Sequence, residues 1–172
     1  MTTYFFGFLA PLRAFDRFVP PAFTPIPPEQ RHLTLVYLGD RVRVGELRER
    51  LELLPPLRPL TVTFKGLEAF PSRSRARYLA AVPTAEGVGA LQRLRTEVLS
   101  ALGAHRDRYS DFKPHVSIAF TRLKPSLELY RSVSRAVRAS RSVSETVELR
   151  ELLLMEAEAG RVRPVLRLSF RG

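Results

Sequence analysis

The chain has 172 residues, of which 45% are hydrophobic and 26% charged, a composition typical of one domain that can bury its own core. It contains no cysteine, which excludes disulfides, thiolate zinc sites, iron–sulfur clusters and a cysteine nucleophile. The 28 basic and 17 acidic residues give a net charge of +11, and all but three of the basic residues are arginines, so an anionic partner such as RNA, DNA or a small phosphorylated molecule is expected.

No segment of the sequence is predicted to cross a membrane. The longest apolar run, residues 4–12, contains glycine and proline and falls well short of the ~20 residues that a membrane helix needs. It also lacks the basic residues that precede the apolar core of a signal peptide. The run is therefore predicted to be a buried first strand, and the protein is predicted to be cytoplasmic.

Short strands and a few helices are predicted along the chain. Strands are expected where aromatic or β-branched residues form a run bounded by proline, glycine or charge. They are Tyr4–Leu9, His32–Leu38, Leu60–Leu67, Arg77–Val82, His115–Phe120, Glu145–Leu154 and Val165–Phe170. Helices are expected where apolar residues recur at helical spacing, at Val44–Leu54, Val88–Leu102 and Ser126–Ala139, the last capped by Ser126. The stretches Pro20–Pro28 and Pro71–Arg77 are predicted as surface loops.

Two segments about half a chain apart share the pattern histidine, any residue, hydroxyl, aliphatic. They are His32–Leu35 and His115–Ile118, and each opens a predicted strand. We therefore predict an α+β fold with mainly antiparallel sheet, built as two lobes related by a pseudo-twofold axis. The helices are expected on the outside, with an active-site cleft between the lobes. Residues 1–172 are predicted to form this single bilobal domain.

The two histidine motifs can support acid–base chemistry. Alternate side chains of a strand point to the same side, so His32 shares a face with Thr34, and His115 shares one with Ser117. One imidazole can be protonated while the other is neutral, because imidazole titrates near pH ~6.5. Such a pair can act on opposite sides of a phosphorus centre. The hydroxyls can donate to phosphate oxygens, and a nearby guanidinium can neutralise developing charge.

Other kinds of site fit the sequence less well. A lone histidine at the start of a strand is usually structural, but here two of only three histidines have matching contexts. A metal site needs three or four ligands, and the motifs supply two. The other candidate ligands, His105, Asp107 and Asp111, are typical of a solvated loop. We expect neither a metal nor a cofactor, and the sequence has no Gly-rich phosphate loop or dinucleotide fingerprint.

The two motifs resemble the signature of the 2H phosphoesterases, and more narrowly of their RNA 2′,3′-cyclic phosphodiesterase branch, also called 2′-5′ RNA ligases. The motif sequences are HLTL at 32–35 and HVSI at 115–118. The opening strand, HLTLVYLG at 32–39, TFKGLEAFP at 63–71, FKPHVSI at 112–118 and the closing strands also resemble this family. The resemblance therefore covers almost the whole chain.

The resemblance implies a bilobal α+β fold whose cleft holds both motifs, and metal-independent opening of a cyclic phosphate to a 2′-phosphate. It implies that His32 is the proton donor to the leaving ribose oxygen, and that His115 is the proton acceptor that activates water. Thr34 and Ser117 would hold the phosphate oxygens. Relatives often carry an arginine soon after the second motif, and Arg122 is the nearest candidate for binding substrate. Ligation would use a 5′-hydroxyl in place of water.

The implied partner is RNA with 2′,3′-cyclic phosphate ends, tRNA fragments included, with no obligate protein partner. Two alternatives stay open: the same fold acting on a small cyclic nucleotide or 2′-5′ oligonucleotide, and an RNA-binding module without catalysis. The intact histidine pair favours an enzyme, because binding alone does not need it. Two arginine clusters are also predicted to flank the cleft and hold RNA phosphates, namely Arg73, Arg75 and Arg77, and Arg106 and Arg108.

Overall fold

A computed structural model describes residues 1–103 and 111–171 of the chain. These residues form nine strands and three α-helices. The strands are β1 (Thr3–Leu9), β2 (Thr24–Pro25), β3 (His32–Gly39), β4 (Leu60–Phe70), β5 (Tyr78–Pro83), β6 (Val116–Phe120), β7 (Ser144–Leu149), β8 (Glu151–Glu158) and β9 (Arg161–Ser169). The helices are α1 (Val44–Leu51), α2 (Ala85–Leu102) and α3 (Leu127–Ser140). None of these helices is long and apolar enough to cross a membrane.

The nine strands of the described residues form one sheet in which every pairing is antiparallel. Their order is β7-β4-β5-β6-β3-β1-β8-β9, and the short β2 lies beside the end of β6. The contact between β3 and β6 divides this order into two halves of four strands each. The predicted α+β class, with mainly antiparallel sheet and two halves that meet at the histidine strands, is confirmed.

The sheet curls, because two strands from opposite halves of it are consecutive in the chain. Only Arg150 separates β7 from β8, although five strands lie between them in the sheet. The carbonyl of Arg150 accepts a hydrogen bond from the backbone of Phe170 at 2.7 Å. Leu149 of β7 and Leu152 of β8 are both buried in the main core. Both halves of the sheet therefore wrap around one core.

The main core lies on one face of the sheet, beneath α1 and α2. Leu33 and Leu35 of β3 point into it, as the alternation of a strand requires. Helix α2 adds a buried stripe at helical spacing, formed by Leu91, Leu94, Val98 and Leu102. The residues that alternate with these leucines along β3, His32 and Thr34, consequently point to the opposite face. The arrangement of strands thus keeps the first motif clear of the core.

Helix α3 packs along the edge of β4, beyond the part of β4 that pairs with β7. The Oγ of Ser126 caps this helix by accepting a hydrogen bond from the backbone of Leu129 at 3.0 Å, as predicted. β4 pairs with β7 as far as Lys65. The next part of β4 meets the helix instead, and the backbone of Leu67 donates to the Oγ of Ser140 at 3.0 Å. Helix α3 thereby covers a sheet edge that would otherwise be open.

The structure corrects three of the predicted elements. Residues 145–154 form two strands instead of one, because β7 pairs with β4 while β8 pairs with β1 and β9. The predicted surface loop at Pro20–Pro28 includes β2, and Phe23 is buried in the cluster beneath α3. The last strand begins at Arg161, before Pro164, since a strand at a sheet edge tolerates proline.

Candidate active site

The register between β3 and β6 brings the two histidine motifs together. Leu33 is paired with Val116, and both side chains are buried in the main core. The residues on either side of this pair point to the opposite face of the sheet. Continuing the antiparallel register by one residue in each direction places them in two facing pairs, Thr34 with His115 and His32 with Ser117. The two histidines therefore occupy opposite corners of a four-residue group.

The ring of His32 is oriented by its own backbone and by an aromatic neighbour. Its Nδ1 lies 2.9 Å from the carbonyl oxygen of Gln30, two residues earlier in the chain. Phe5 of β1 contacts the ring, with the centroids 5.0 Å apart and the planes at 34°. A carbonyl can only accept, so Nδ1 carries the hydrogen of this bond and the neutral ring has an unprotonated Nε2.

His115 repeats this arrangement in the other half of the sheet. Its Nδ1 lies 2.7 Å from the carbonyl oxygen of Lys113, again two residues earlier. Phe70 of β4 stacks on the ring, with the centroids 4.3 Å apart and the planes at 17°. Neither Nε2 of the two histidines has a hydrogen-bond partner within the described residues. Both rings thus present a free nitrogen that can give or take a proton.

Burial and the neighbouring His115 both affect the protonation of His32. Burial is the main cause that lowers the pKa of His32 below its ordinary value of 6.5. The hydrogen bond to the Gln30 carbonyl works in the opposite direction, and the positive charge of His115 lowers the pKa further. A positive charge on His115 therefore disfavours a positive charge on His32.

The hydroxyls of Thr34 and Ser117 lie beside the imidazoles and are only half-buried. Within the ranges that the structure describes, neither hydroxyl hydrogen-bonds to another protein group. A hydroxyl donates one hydrogen bond and rotates to suit its partner. Both hydroxyls can therefore donate to the oxygens of an anion held between the histidines.

A glycine in β1 allows the close approach of β1 to the first motif. Gly7 is paired with Thr34, beside an irregularity in the register of the two strands. A Cβ built on Gly7 would overlap the carbonyl oxygen of Leu33, and it would lie 3.3 Å from the Cα of Thr34. The strands can lie this close only because the residue has no side chain.

A buried arginine holds the segment that leads into the first motif. Arg31 is only 1% exposed. Its Nε donates to the carbonyl of Ile26 at 2.9 Å, and its Nη1 donates to the carbonyl of Leu12 and to the carboxylate of Asp16. These bonds tie two loops to the start of β3. They hold the backbone just before His32, which carries the carbonyl that orients its ring.

The arginines that were predicted to bind substrate and that the structure describes lie outside this four-residue group. Arg122 is exposed beyond the end of β6, with its guanidinium 5.8 Å from the ring centroid of Phe120. Arg73 forms two hydrogen bonds with Glu68, and Nη1 of Arg77 donates to the carbonyl of Leu123 at 3.3 Å. Arg106 and Arg108 lie outside the described residues. The roles predicted for these arginines in binding substrate stay predictions.

The candidate metal ligands are only partly covered by the structure. His105 and Asp107 lie outside the described residues, while Asp111 is exposed and lies 3.5 Å from Lys113. In the two ranges that are described, no three His, Cys, Asp or Glu side chains come together as metal ligands.

Sequence reasoning missed the groups that orient the two imidazoles. The carbonyls of Gln30 and Lys113 belong to the backbone, which a sequence motif does not reveal. Phe5 and Phe70 are ordinary strand residues whose contact with the histidines depends on the fold. A glycine inside a predicted strand is a recognised sign of close backbone approach, so Gly7 could have been found.

Comparison with known proteins identifies the family of this fold. The model of the 2′-5′ RNA ligase superfamily matches residues 7–161. The chain belongs to this superfamily. The match spans both motifs, in agreement with the resemblance to 2H phosphoesterases in the sequence.

Curated relatives and a solved structure extend this comparison. Proteins named RNA 2′,3′-cyclic phosphodiesterase from Thermus thermophilus and Archaeoglobus fulgidus are 33% and 32% identical to this chain over 108 and 104 residues. The alignments cover 55% and 58% of this chain, and 52% and 56% of the relatives, so the chain spans about half the length of the curated relatives it matches. A crystal structure of a protein from Thermus thermophilus has a TM-score of 0.68 at 21% identity, covering 99% of this chain and 98% of that one. This superfamily member therefore shares its complete fold with a solved protein.

Proposed function

We propose that the protein is an RNA 2′,3′-cyclic phosphodiesterase that opens 2′,3′-cyclic phosphate ends to 2′-phosphates. The observation that carries this proposal is the matched pair of histidines, each with Nδ1 bonded to its own backbone and Nε2 free. Membership of the superfamily and the names of the two curated relatives support the same chemistry. An anion-binding module needs neither free Nε2 atom, so the pair favours catalysis over binding alone.

In the proposed reaction the cyclic phosphate lies between the two rings. The neutral Nε2 of His115 takes a proton from water as the water oxygen bonds to phosphorus. The bond between phosphorus and the ribose 3′ oxygen breaks, and the protonated Nε2 of His32 gives its proton to that oxygen. The phosphate stays on the 2′ oxygen of the product. One proton is taken up and one is released, so the next turnover requires only proton exchange between the rings and solvent.

The remaining motif residues are proposed to stabilise the charge that develops on phosphorus oxygens. Thr34 faces His115, and Ser117 faces His32, so each hydroxyl lies beside one imidazole and can donate to a non-bridging oxygen. Arg122 is proposed to contact the substrate from beyond the end of β6. No metal or cofactor takes part in this proposal.

The lowered pKa of His32 affects its proposed role as proton donor in two ways. Fewer molecules of free protein carry the proton at neutral pH, but the proton that is carried is given up more readily. A bound phosphate anion raises the pKa of a neighbouring imidazole. Binding of the negatively charged substrate therefore promotes protonation of His32 at the time when the proton is needed.

The proposal extends to RNA as substrate and to a related ligation. A 5′-hydroxyl in place of water, activated in the same way by His115, would join two RNA ends through a 2′-5′ bond. The high arginine content and the net charge of +11 support a polyanionic substrate over a small cyclic nucleotide. A substrate series from cyclic mononucleotide to cyclic-ended oligonucleotide separates these alternatives.

The decisive experiment measures turnover of 2′,3′-cyclic nucleotides and cyclic-ended RNA in EDTA, with the position of the product phosphate assigned. His32→Ala and His115→Ala are each expected to lower the rate by about 10²–10⁴-fold, because each removes one proton-transfer group. The double variant is expected to be barely slower than either single variant, since the two residues act as a unit.

The third histidine provides the matched control for these variants. His105→Ala is expected to keep the wild-type rate, and thermal unfolding should show that all variants are folded. A single motif variant with the wild-type rate would remove that histidine from the mechanism. A 3′-phosphate product would reverse the proposed direction of ring opening, and activity lost with a bound metal would overturn the metal-independent mechanism.

A further inference from the structure

A second basic site lies on helix α3, away from the histidine pair. A cavity of about 460 Å³ opens between this helix and the loop that follows β4. Its lining consists of five arginines with one tyrosine and one serine: Arg73, Arg131, Arg135, Arg138, Arg141, Tyr130 and Ser134. The residues from the helix recur every three or four positions, so they form one stripe opposite the buried side of α3. We call this cavity the α3 pocket.

The positive charge of the α3 pocket is largely uncompensated. Arg73 is the exception, because its Nε and Nη2 donate to the two carboxylate oxygens of Glu68 at 2.9 and 3.0 Å. In the part of the chain that the structure describes, the other four guanidinium groups of the pocket form no ion pair. One carboxylate therefore faces five guanidinium groups, and the pocket attracts anions strongly.

The arginine stripe brings like charges close together on the surface of the helix. Like charges three or four residues apart on a helix destabilise it by about 0.2–0.5 kcal/mol per pair. Arg131 and Arg135 are four residues apart, and Arg138 follows Arg135 by three. The Oγ of Ser134 is buried among these side chains without a hydrogen-bond partner, whereas that of Ser140 donates to the carbonyl of Val137 at 3.2 Å. A bound anion would relieve the repulsion between the arginines.

The lining of the α3 pocket is suited to nucleic acid. A guanidinium group can donate two parallel hydrogen bonds to a phosphate. Tyr130 is 42% exposed, and an exposed aromatic ring beside a basic groove is typical of sites where a base stacks. An inorganic polyphosphate would use the arginines alone. The aromatic ring thus favours a nucleic-acid strand as the occupant.

The α3 pocket lies within reach of the histidine pair. Glu68, which holds Arg73, is in register with Ala80 of β5, and Ala80 is in register with Ser117 of the second motif. Two strand spacings separate Glu68 from Ser117, which amounts to about 10 Å across the sheet. A nucleic-acid strand with one phosphate per ~3.4 Å of rise covers that distance in about three nucleotides.

We propose that the α3 pocket binds the backbone phosphates of an RNA strand whose cyclic-phosphate end lies between the two histidines. This inference rests on the proposed function for its choice of substrate end. Helix α3 would then provide most of the contacts to the backbone phosphates of a long RNA. The pocket would give the protein a preference for oligonucleotides over mononucleotides, because a mononucleotide bound at the histidines does not reach it.

The test compares two triple variants of equal charge. The first, called the α3 variant, is Arg131→Gln/Arg135→Gln/Arg138→Gln. The control is Arg41→Gln/Arg48→Gln/Arg58→Gln, which changes exposed arginines elsewhere in the chain. Binding of a ten-nucleotide RNA with a 2′-phosphate end is measured across a salt series, which needs no turnover. The α3 variant should bind at least about tenfold more weakly, and its slope of log affinity against log salt should be shallower by about 2 for three lost single-strand contacts. The control should keep most of the wild-type slope.

Three further measurements distinguish a specific role of the α3 pocket from an effect of net charge and from an effect on folding. The ratio of kcat/KM for a cyclic-ended ten-nucleotide RNA to that for a cyclic mononucleotide should fall about tenfold in the α3 variant. Its Tm should equal or exceed that of the wild type, since repulsive pairs are removed. Tyr130→Leu should weaken binding of RNA but leave binding of inorganic tripolyphosphate unaltered.

Two outcomes would overturn the proposal, and a third would separate it from the proposed function. Equal losses in the α3 variant and the control would assign the effect to net charge. Binding of tripolyphosphate that depends on the three arginines, with RNA binding unchanged, would make the pocket a site for small anions. If no cyclic phosphate is turned over but RNA binding still depends on the α3 pocket, the proposed function fails while the RNA site stands.

Discussion

Replacing Gly7 by alanine tests how the β1–β3 contact positions the first motif. Gly7 is buried, and it lies opposite Thr34 and two positions from Leu9, which is paired with His32. A new Cβ would overlap the carbonyl oxygen of Leu33 and approach its carbonyl carbon to 3.1 Å. Both atoms belong to the backbone of β3, so no side-chain rotation can relieve the contact.

The size of the effect follows from the displacement that β3 must undergo. The Leu33 carbonyl has to move by on the order of 1 Å before the pair reaches ordinary van der Waals distance. Overpacking of this kind costs about 1–3 kcal/mol of unfolding free energy. A shift of ~1 Å in a reacting group lowers the rate by about 10²-fold. Because Leu33 lies between His32 and Thr34, Gly7→Ala is expected to lower kcat/KM for a cyclic nucleotide by about that factor.

The assay combines thermal unfolding with turnover of a 2′,3′-cyclic mononucleotide. Gly45→Ala is the matched control, because a Cβ at this position in α1 would meet no atom within 4 Å. It should be neutral or stabilising by about 0.4–1 kcal/mol and fully active. A Gly7→Ala protein with wild-type stability would refute the close approach of the strands. A destabilised protein with wild-type kcat/KM would refute the link between this contact and the position of the first motif.

Two more predictions concern the histidines. Phe70→Leu is expected to lower kcat/KM by about tenfold, because His115 loses the ring that stacks on it. The control, Phe170→Leu, alters a ring whose centroid lies 6.0 Å from that of Phe8, and it should affect stability alone. Equal effects of the two variants on kcat/KM would contradict the supporting role of Phe70. The folded-state pKa of His32 lies below the ordinary value of 6.5. The contribution of the neutral ring to the free energy of unfolding is therefore complete above that pH, and it is lost as the pH falls through the folded-state pKa. The Tm of the wild type should therefore fall relative to that of His32→Gln between about pH 7.5 and pH 5, and a constant difference in Tm would show that the pKa is not lowered.

Local patterns in the sequence were sufficient to predict which side chains come together at the candidate site. The histidine and hydroxyl of each motif are two residues apart, and this spacing alone places them on one face of a strand. The repetition of the motif half a chain later predicted that two such strands meet, and the pairing of Leu33 with Val116 is that meeting point. The cap at Ser126 was also predictable, because a helix cap depends on neighbouring residues only.

Interactions between distant residues decided the rest. The break at Arg150 was missed because residues 145–154 look like one strand, and only their different partners divide them. Phe5 and Phe70 support the histidines from other strands, so their role depends on register. The arginines of α3 share a helical stripe that the sequence contains, but the cavity beside them exists only where the loop after β4 packs against the helix. Periodicity is a local property of the chain, whereas the partner of a strand or helix face is selected by the packing of the whole core.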